Sequence, residues 1–246
     1  MSQQKVERSQ ERSQTLERLI KYLHYRLNHD QEALTYLKKE RRLQNETIVK
    51  FQLGAFPPIP TLIREFSEFE LMLIGVLRRD DSGNLSSKFT TNRLIIPIFD
   101  LHGRAVAVIG RVLCSEEERA KLGVPKYDNT IFSKSKCLFG LNLAKNSIRE
   151  TGAALVVEGN FDVISAVQAG VPNVVASSGA FFTQNQIALL SRYCERISLG
   201  LDRDEAGERA MKKILSRPAP DGVLIKQIAI PGAFKDWDEY FRSKCA

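Results

Sequence analysis

From residue 153 onward, short apolar runs alternate with stretches of helical character, and this alternation is what most limits the fold. The runs are ALVV, NVVA, RISLGL and VLIKQIAI, and the helical stretches cover residues 162–169, 184–194 and 205–215. Short β-branched runs that alternate with helices are typical of a parallel sheet covered by helices. We therefore predict an α/β fold here, with functional groups at the carboxyl ends of the strands.

The preceding part of the chain has a mixed pattern. Residues 1–14 are polar and without periodicity, so we expect a flexible arm. An amphipathic helix is predicted next, from Leu16, Leu19, Ile20, Leu23 and Leu27. The stretch GAFPPIP marks a break, DDSGN a turn, and the β-rich runs on both sides of DLHG predict a hairpin. We divide the chain into an arm (1–14), a basic α+β subdomain (15–150) and an α/β domain (151–246).

The composition of the chain indicates the kind of partner it binds and its location in the cell. Lys and Arg number 36 against 29 Asp and Glu, a net charge of +7. This balance favours an anionic partner, most often nucleic acid, although a merely basic protein fits it equally well. The four cysteines form no CxxC pair, so we expect neither a zinc site nor a disulfide framework. Without an apolar run that could cross a membrane, or a secretory leader, we expect a cytoplasmic protein and no membrane partner.

Carboxylates follow several of the predicted strands. Glu158 ends ALVV, with Asp162 shortly after it, and further acids follow RISLGL (Asp202 and Asp204) and VLIKQIAI (Asp236 and Asp238). Acids gathered at one sheet edge repel one another unless a cation lies between them, and oxygen-only ligands suit Mg²⁺ or Mn²⁺. Two such ions about 4 Å apart can serve phosphoryl transfer. For any one acid alone, capping of the following helix is the better explanation, but it explains acids at three strand ends together less well than a metal site does.

These segments carry a resemblance to a known family. VVEGNFDV followed by GLDRDEAG resembles the Toprim domain that bacterial primases, topoisomerases and some nucleases share. From about residue 17 to the C-terminus, further segments resemble, in order, the catalytic core of DnaG-type primases. They are ALTYLKKERRLQNETIVKFQLGAFPP, RLIIPIFDLHGRAVAVIGRVL, PKYDN, IFSKSKCLFGL and KDWDEYF. The implied architecture is a Toprim parallel sheet flanked by helices and preceded by a mixed α+β basic subdomain.

The resemblance implies roles for individual residues. Catalysis would depend on Glu158, Asp202 and Asp204, and two or more Mg²⁺ or Mn²⁺ ions would be held by these three together with Asp162, Asp236 and Asp238. Template and nucleotide would be contacted by Arg111, Lys126 and Tyr127, with Lys134 as a weaker correspondence. The spacing of cations along the hairpin adds Arg93 and Arg104 to the expected template surface.

The chain also departs from the family pattern. Asn160 replaces the usual tyrosine after EG, Arg203 lies between the two aspartates where glycine is usual, and AVIGR replaces GFGGR. We expect neither the zinc module usually found upstream nor the helical bundle and helicase-binding domain usually found downstream. We therefore expect either an excised core or a reduced primase of a mobile element. In both cases a replicative helicase and a zinc-type template reader would act in trans.

The leading hypothesis is a DNA-dependent RNA polymerase that makes short primers from NTPs on single-stranded DNA. A Toprim nuclease would carry the same acids but would have no use for the IIPIFDLHGR and PKYDN segments. A topoisomerase is disfavoured because the chain has no room for strand-passage domains. A non-catalytic single-stranded-DNA-binding accessory stays open as a third class, although its natural signature would be lost acids, and all are retained.

Overall fold

The computed structural model describes residues 3–87, 89, 93–179, 182–200, 212, 214, 216 and 219–245. The chain forms two compact units, which are described separately. Unit 1 comprises Met1–Ile98 and Arg104–Phe132, and unit 2 comprises Phe99–Gly103 and Ser133–Ala246.

The first helix of unit 1, α1 (Gln3–Leu27), corrects the prediction of a flexible arm over residues 1–14. Gln, Glu, Lys and Arg dominate its first turns, and these are good helix formers even where no apolar stripe is present. Arg12 donates hydrogen bonds to the carbonyl oxygens of Val106 (3.1 Å) and Ile131 (2.9 Å). Burial lowers the pKa of the Arg12 guanidinium. This part of α1 is therefore tied to the body of unit 1.

The apolar face predicted for this helix is confirmed, because the five residues that define it are at most 2% exposed. The face packs against β1 (Gly54–Ala55). A side chain at Gly54 would lie 2.8 Å from the backbone carbonyl carbon of Leu23. Glycine is therefore required where the GAFPPIP segment passes α1.

Short helices follow α1 in unit 1. They are α2 (Gln31–Thr35), a π-helix (Tyr36–Glu40), α3 (Asn45–Lys50), α4 (Ile59–Leu62), α5 (Glu68–Leu73) and α6 (Glu116–Leu122). Capping boxes begin two of them, at Ser67 for α5 and at Ser115 for α6. In each box the serine side chain and the glutamate three residues later satisfy two otherwise unpaired backbone N–H groups.

The sheet of unit 1 has four strands in the order β1-β4-β5-β6, with β4 at Leu94–Phe99, β5 at Ala105–Arg111 and β6 at Tyr127–Asn129. The predicted hairpin is present: β4 and β5 are neighbours, and the turn closes between the N–H of Gly103 and the carbonyl of Asp100 at 2.9 Å. Gly103 has φ +81°, which glycine adopts without strain. The predicted DDSGN turn joins β2 (Arg78–Arg79) to β3 (Leu85–Ser86).

Unit 2 contains the predicted parallel sheet, in the order β10-β9-β7-β8. Its strands are β7 (Ala153–Val157), β8 (Val174–Ala176), β9 (Arg196–Leu199) and β10 (Leu224–Gln227). Its helices are α7 (Leu141–Thr151), α8 (Asn160–Gln168), α9 (Gln184–Leu190) and α10 (Trp237–Arg242), and a 3₁₀-helix covers Lys134–Lys136. Most of the predicted helix at 205–215 lies outside the described residues.

The core of unit 2 includes α7. Leu141, Ala144 and Ile148 of this helix are buried in one cluster with Ala154 and Val156 of β7. The compact units divide between Phe132 and Ser133. The predicted boundary between residues 150 and 151 separates a basic template-binding subdomain from a catalytic domain. It divides the chain by function, and it stays a prediction.

The helices also bear on membrane insertion. The 25 residues of α1 would be long enough to span a bilayer, but many of them are charged or polar. In the part of the chain that the structure describes, no helix combines the length and apolarity that such a span requires.

Candidate functional site

The carboxyl ends of β7 and β9 form one edge of the parallel sheet in unit 2. Val156 pairs with Leu199, and the N–H of Gly200 continues the ladder to the carbonyl of Val156 at 2.9 Å. Glu158 directly follows β7 and is half-buried at this edge. Asp202 and Asp204, predicted to follow β9, lie outside the described residues.

Asp162 lies in the first turn of α8 and is 7% exposed. Its Oδ2 atom accepts a hydrogen bond from the N–H of Gly159 at 2.9 Å, and its Oδ1 atom accepts one from the N–H of Asp238 at 3.2 Å. Asp162 therefore closes the start of α8 and links it to the first turn of α10.

Asp238 is only 2% exposed and has partners on two helices. Ser165 of α8 donates its hydroxyl to Oδ1, and Arg242 of α10 donates Nε to Oδ2 at 2.9 Å. The buried carboxylate is thus compensated by a hydroxyl and a guanidinium, which is the condition for burying a charge without a large penalty. The i,i+4 spacing of Asp238 and Arg242 is a sequence signal for this pair.

Asp236 is the N-cap of α10, where its Oδ1 atom accepts from the N–H of Glu239 at 2.8 Å. Its side chain is 29% exposed, and Lys235 Nζ lies 3.9 Å from its Oδ2 atom. The expectation that Asp236 directly follows the strand VLIKQIAI is wrong, because β10 already ends at Gln227. Asp236 is positioned by the start of α10 and not by a strand end.

A hydrogen bond links Asp238 to Asp162. The acids that the structure describes do not, however, form a complete metal site. Within the described ranges, no group of three or more His, Cys, Asp or Glu side chains could hold a metal ion. The chemistry of the predicted donor set nevertheless fits Mg²⁺ or Mn²⁺, because every donor is a carboxylate oxygen. The predicted set also includes Asp202 and Asp204, which lie outside the described residues.

Two residues at this edge escaped the sequence analysis. The indole of Trp237 donates Nε1–H to the carbonyl of Gly200 at 2.9 Å. A Cβ atom at Gly200 would lie 2.6 Å from Cε2 of the same ring. The only available signal was the large aromatic residue between two acids in KDWDEYF.

The asparagine that departs from the family pattern also has a defined contact. Ser178 donates its hydroxyl to Oδ1 of Asn160 at 2.9 Å, which links the start of α8 to the loop after β8. Ser178 has φ +57°, a conformation that is uncommon for a residue with a side chain. The loop that follows β8 is therefore held to the same edge of the sheet.

The predicted cationic residues of unit 1 centre on Arg111, the last residue of β5. Its guanidinium lies between two aromatic rings, 5.1 Å from the centroids of both Tyr36 and Tyr127, and it donates a hydrogen bond to the hydroxyl of Tyr127. Tyr36 also accepts from Arg41 Nε at 2.6 Å. Burial holds the pKa of Tyr36 above its ordinary value, and the charges of Arg41 and Arg111 only partly oppose this shift.

The π-helix presents Tyr36 to Arg111, and such helices occur often at functional sites. Arg111 is only 8% exposed, whereas Tyr127 is 40% exposed and Lys126 is exposed beside it in the chain. Arg111 and Tyr127 are direct cross-strand partners. The structure therefore brings Arg111 and Tyr127 together, with Lys126 next to them.

The remaining predicted cations have other surroundings. Arg93 lies 3.9 Å from Asp30 and 3.7 Å from Glu32, so acids offset part of its charge. Arg104 follows the hairpin turn, at the opposite end of the hairpin from Arg111. Lys134 belongs to unit 2, where its carbonyl accepts from Gln186 Nε2 at 3.0 Å.

Two family models match the chain. The DNA primase catalytic core, N-terminal domain, matches residues 21–145, about half of the 246 residues, and a Toprim-like domain matches residues 155–241. The chain belongs to the DnaG-type primase family.

Curated relatives within this primase family include two bacterial proteins. The DNA primase of Synechococcus elongatus is 40% identical over 229 residues, which cover 85% of this chain and 32% of the relative. The DNA primase of Aquifex aeolicus is 29% identical over 242 residues, which cover 97% of this chain and 48% of the relative. The chain thus spans about a third to a half of the length of these primases.

Solved primase structures share the fold. The zinc-binding and RNA polymerase domains of the Aquifex aeolicus primase match with a TM-score of 0.83 at 30% identity, covering 100% of this chain and 60% of that one. A DnaG primase catalytic domain bound to single-stranded DNA matches with a TM-score of 0.84 at 29% identity, covering 97% and 78%. The Escherichia coli primase catalytic core matches with a TM-score of 0.80 at 30% identity, covering 94% and 75%.

Proposed function

We propose that this chain is the RNA polymerase core of a primase, which makes short RNA primers on single-stranded DNA by metal-dependent nucleotidyl transfer. The observation that carries the proposal is the match of both primase-core modules, in order, along one chain. The sheet edge that bears Glu158 supports it, because active sites of parallel α/β sheets lie at the carboxyl ends of the strands.

In this proposal the catalytic acids are Glu158, Asp202 and Asp204. Two or more Mg²⁺ or Mn²⁺ ions, when bound, would supply charge stabilisation at the α-phosphate of the incoming nucleotide and at the departing pyrophosphate. These three acids would hold the ions together with Asp162, Asp236 and Asp238.

Asp162 and Asp238 would have both a structural role and a metal-binding role. Both carboxylates accept hydrogen bonds that hold α8 against α10. Each carboxylate oxygen has more than one acceptor position, so these bonds do not exhaust the capacity to bind a cation. Asp236, which is more exposed than Asp238, has the freer access to an ion.

We assign the binding of template and nucleotide mainly to residues of unit 1. Arg111, Lys126 and Tyr127 would contact the phosphates of the template and of the incoming NTP, with Arg93, Arg104 and Lys134 as further phosphate contacts. A relative that is similar in fold was solved bound to single-stranded DNA, which supports this assignment. We further propose a replicative helicase and a zinc-type template reader as partners in trans, and a cytoplasmic location.

The decisive experiment incubates the protein with single-stranded DNA, labelled NTPs and Mg²⁺ or Mn²⁺. We expect short RNA products that disappear in Asp202→Asn and Asp204→Asn, while circular dichroism and thermal melts show folded variants. Degradation of the DNA without RNA synthesis would instead identify a nuclease, and DNA binding without either reaction would identify an accessory protein.

Template binding is tested separately by titrating labelled oligonucleotides at several salt concentrations. Phosphate contacts release counterions, so affinity should fall steeply with salt and depend little on sequence. The double variant Arg111→Ala with Lys126→Ala should flatten the plot of log affinity against log salt by about one unit for each phosphate that the protein no longer neutralises. An unchanged slope would move the template path elsewhere, with the cations of residues 38–42 as the next candidates.

A further inference from the structure

We propose that Tyr36 is a positioning residue whose buried ring orients the guanidinium of Arg111 toward a phosphate group of the bound template or nucleotide. This inference rests on the proposed function, because it takes Arg111 as a phosphate contact. It concerns residues of unit 1 alone.

The first support is the contact between the ring and the cation. The guanidinium carbon of Arg111 lies 5.1 Å from the centroid of the Tyr36 ring, within the range of about 6 Å in which an aromatic face attracts a cation. Arg111 is 8% exposed and Tyr36 is 6% exposed. Water therefore screens this contact little, and desolvated contacts of this kind are the stronger ones. The ring thus favours one orientation of the long Arg111 side chain over the others that it could adopt.

The second support is that Tyr36 is itself held in place. Its hydroxyl accepts a hydrogen bond from Nε of Arg41 at 2.6 Å, and its backbone carbonyl accepts one from the N–H of the same arginine at 2.9 Å. The second of these bonds closes the wide turn of the π-helix, Tyr36–Glu40. Because both the side chain and the backbone of Tyr36 are tied to Arg41, the ring is a fixed support for Arg111.

The third support is the difference between the two rings that contact Arg111. Tyr127 accepts a hydrogen bond from Arg111 and is 40% exposed, so a ligand can reach it. Tyr36 is buried, so it can act on a ligand only through the guanidinium that it orients. Tyr36 is for this reason a positioning residue, whereas Tyr127 can contact the ligand directly.

Removal of the Tyr36 ring should weaken binding without removing any charge. A long side chain that has to be immobilised on binding typically costs a factor of about three to ten in affinity. We expect Tyr36→Leu, which leaves Arg111 without its aromatic support, to weaken the binding of a single-stranded oligonucleotide by about this factor. Tyr36→Phe keeps the ring and should recover most of the loss.

A double-mutant cycle with Arg111→Ala tests whether the effect passes through this guanidinium. If Tyr36 acts by orienting Arg111, Tyr36→Leu should weaken binding in the wild-type chain and have no further effect in Arg111→Ala. A general loss of structure would instead add to the effect of Arg111→Ala. The salt dependence is an independent readout, because Tyr36→Leu should flatten the plot of log affinity against log salt by up to about one unit although it removes no cation.

The experiment titrates the full chain with a labelled single-stranded oligonucleotide in one arm and with labelled ATP and Mg²⁺ in the other. A loss of affinity in the first arm assigns the phosphate to the template, and a loss in the second assigns it to the nucleotide. Normal binding by Tyr36→Leu in both arms would overturn the inference. An equal loss in the wild-type and Arg111→Ala backgrounds would overturn it as well.

Phe66→Leu is the matched control for loss of a buried ring. Phe66 is 5% exposed, belongs to the same unit and also lies beneath a guanidinium, that of Arg18 at 5.2 Å. This variant should lose stability in thermal melts and keep its oligonucleotide affinity, so an equal loss of affinity in Phe66→Leu and Tyr36→Leu would refute the positioning role. If melts show that Tyr36→Leu does not fold, Tyr36→Met, whose flexible side chain fills irregular gaps, replaces it in the cycle.

Failure of the inference and failure of the proposed function give different results. If the wild type makes primers but Tyr36→Leu binds both ligands normally, only the positioning role is wrong. If Arg111→Ala itself leaves binding unchanged, the assignment of Arg111 as a phosphate contact fails and the inference fails with it. If the wild type makes no primers while the cycle shows coupling through Arg111, the positioning role stands and the polymerase proposal is wrong.

Discussion

The two compact units each bury a charged side chain, but they stabilise it by different means. In unit 1, Arg111 lies between the rings of Tyr36 and Tyr127, and its contacts include two aromatic faces and a phenol hydroxyl. In unit 2, Asp238 is bound by the hydroxyl of Ser165 and by the guanidinium of Arg242. The first arrangement orients a cation by aromatic stacking, and the second holds an anion in an ion pair.

This difference has consequences for substitution. Rings that lose a cation keep their own apolar contacts, so deletion of Arg111 leaves groups that tolerate burial. An ion pair that loses its anion leaves a partly buried guanidinium without that counter-ion, which costs more. We therefore expect loss of the buried charge to cost more stability in unit 2 than in unit 1, and in unit 1 to weaken template binding as well.

The largest expected effect on stability is that of Asp238→Ala. Removing one member of a buried pair typically costs about 3–5 kcal/mol, and since Arg242 keeps 22% of its side chain exposed we expect about 3 kcal/mol. Urea denaturation followed by circular dichroism measures the loss. Asp221→Ala, at an exposed acid of the same unit, is the control and should change little. A loss for Asp238→Ala as small as that of the control would contradict the assigned pairing.

Arg111→Ala should have an intermediate effect on stability, about 2 kcal/mol, because it removes two desolvated cation–π contacts and one hydrogen bond. Arg111→Lys keeps the charge but loses the planar group that stacks on both tyrosines. We expect Arg111→Lys to keep much of the salt-dependent DNA affinity and to lose stability. Equal DNA affinity for the alanine and lysine variants would show that the charge at this position does not reach the template.

The parallel sheet of unit 2 could be predicted because the buried apolar residues of β7, β8 and β9 make these strands read as short apolar runs. Val156, Val175 and Leu199 lie fully buried in the strands that the runs ALVV, NVVA and RISLGL predicted. The start of α1 was missed because the arm was judged by its lack of an apolar stripe, whereas its residues have good helix propensity.

The candidate site was only partly predictable. Glu158 follows a strand as expected, but the position of Asp236 depends on where β10 ends and α10 begins, which the run VLIKQIAI does not reveal. The contact between Trp237 and Gly200 joins residues far apart in the chain, and no periodicity encodes it. The sequence thus offers candidate acids more readily than it reveals what holds them in place.

A smaller loss of stability is expected for Asp236→Ala. This acid caps α10 from a partly exposed position, and loss of an N-cap costs about 1 kcal/mol. Asp236→Ser retains a capping oxygen without the charge and should recover most of that loss in urea denaturation. If Asp236→Ala destabilises the protein as much as Asp238→Ala does, then the contrast between a capping acid and a buried paired acid on α10 is wrong.

The last expected effect depends on pH and concerns the thiol of Cys137, a weak acid that unit 2 holds in its protonated form. Burial, and secondarily the charge of Asp100, raises the pKa of the Cys137 thiol to about 11, and the thiol donates to the carbonyl of Phe99 at 3.5 Å. An unfolded cysteine has a pKa of about 8.5, so between these values the folded state binds more protons than the unfolded state. The contribution of Cys137 to stability is therefore complete below about pH 8.5 and is lost as the pH rises toward 11.

Urea denaturation at about pH 8 and about pH 10, on either side of the ordinary thiol pKa, measures this contribution. Stability should decrease less between the two conditions in Cys137→Ala than in the wild type, because the variant has no thiol to ionise on unfolding at this position. Cys114→Ala is the control for cysteine removal and should keep the wild-type decrease. An identical pH dependence in Cys137→Ala and the wild type would mean that the thiol is not shielded from water in the folded protein.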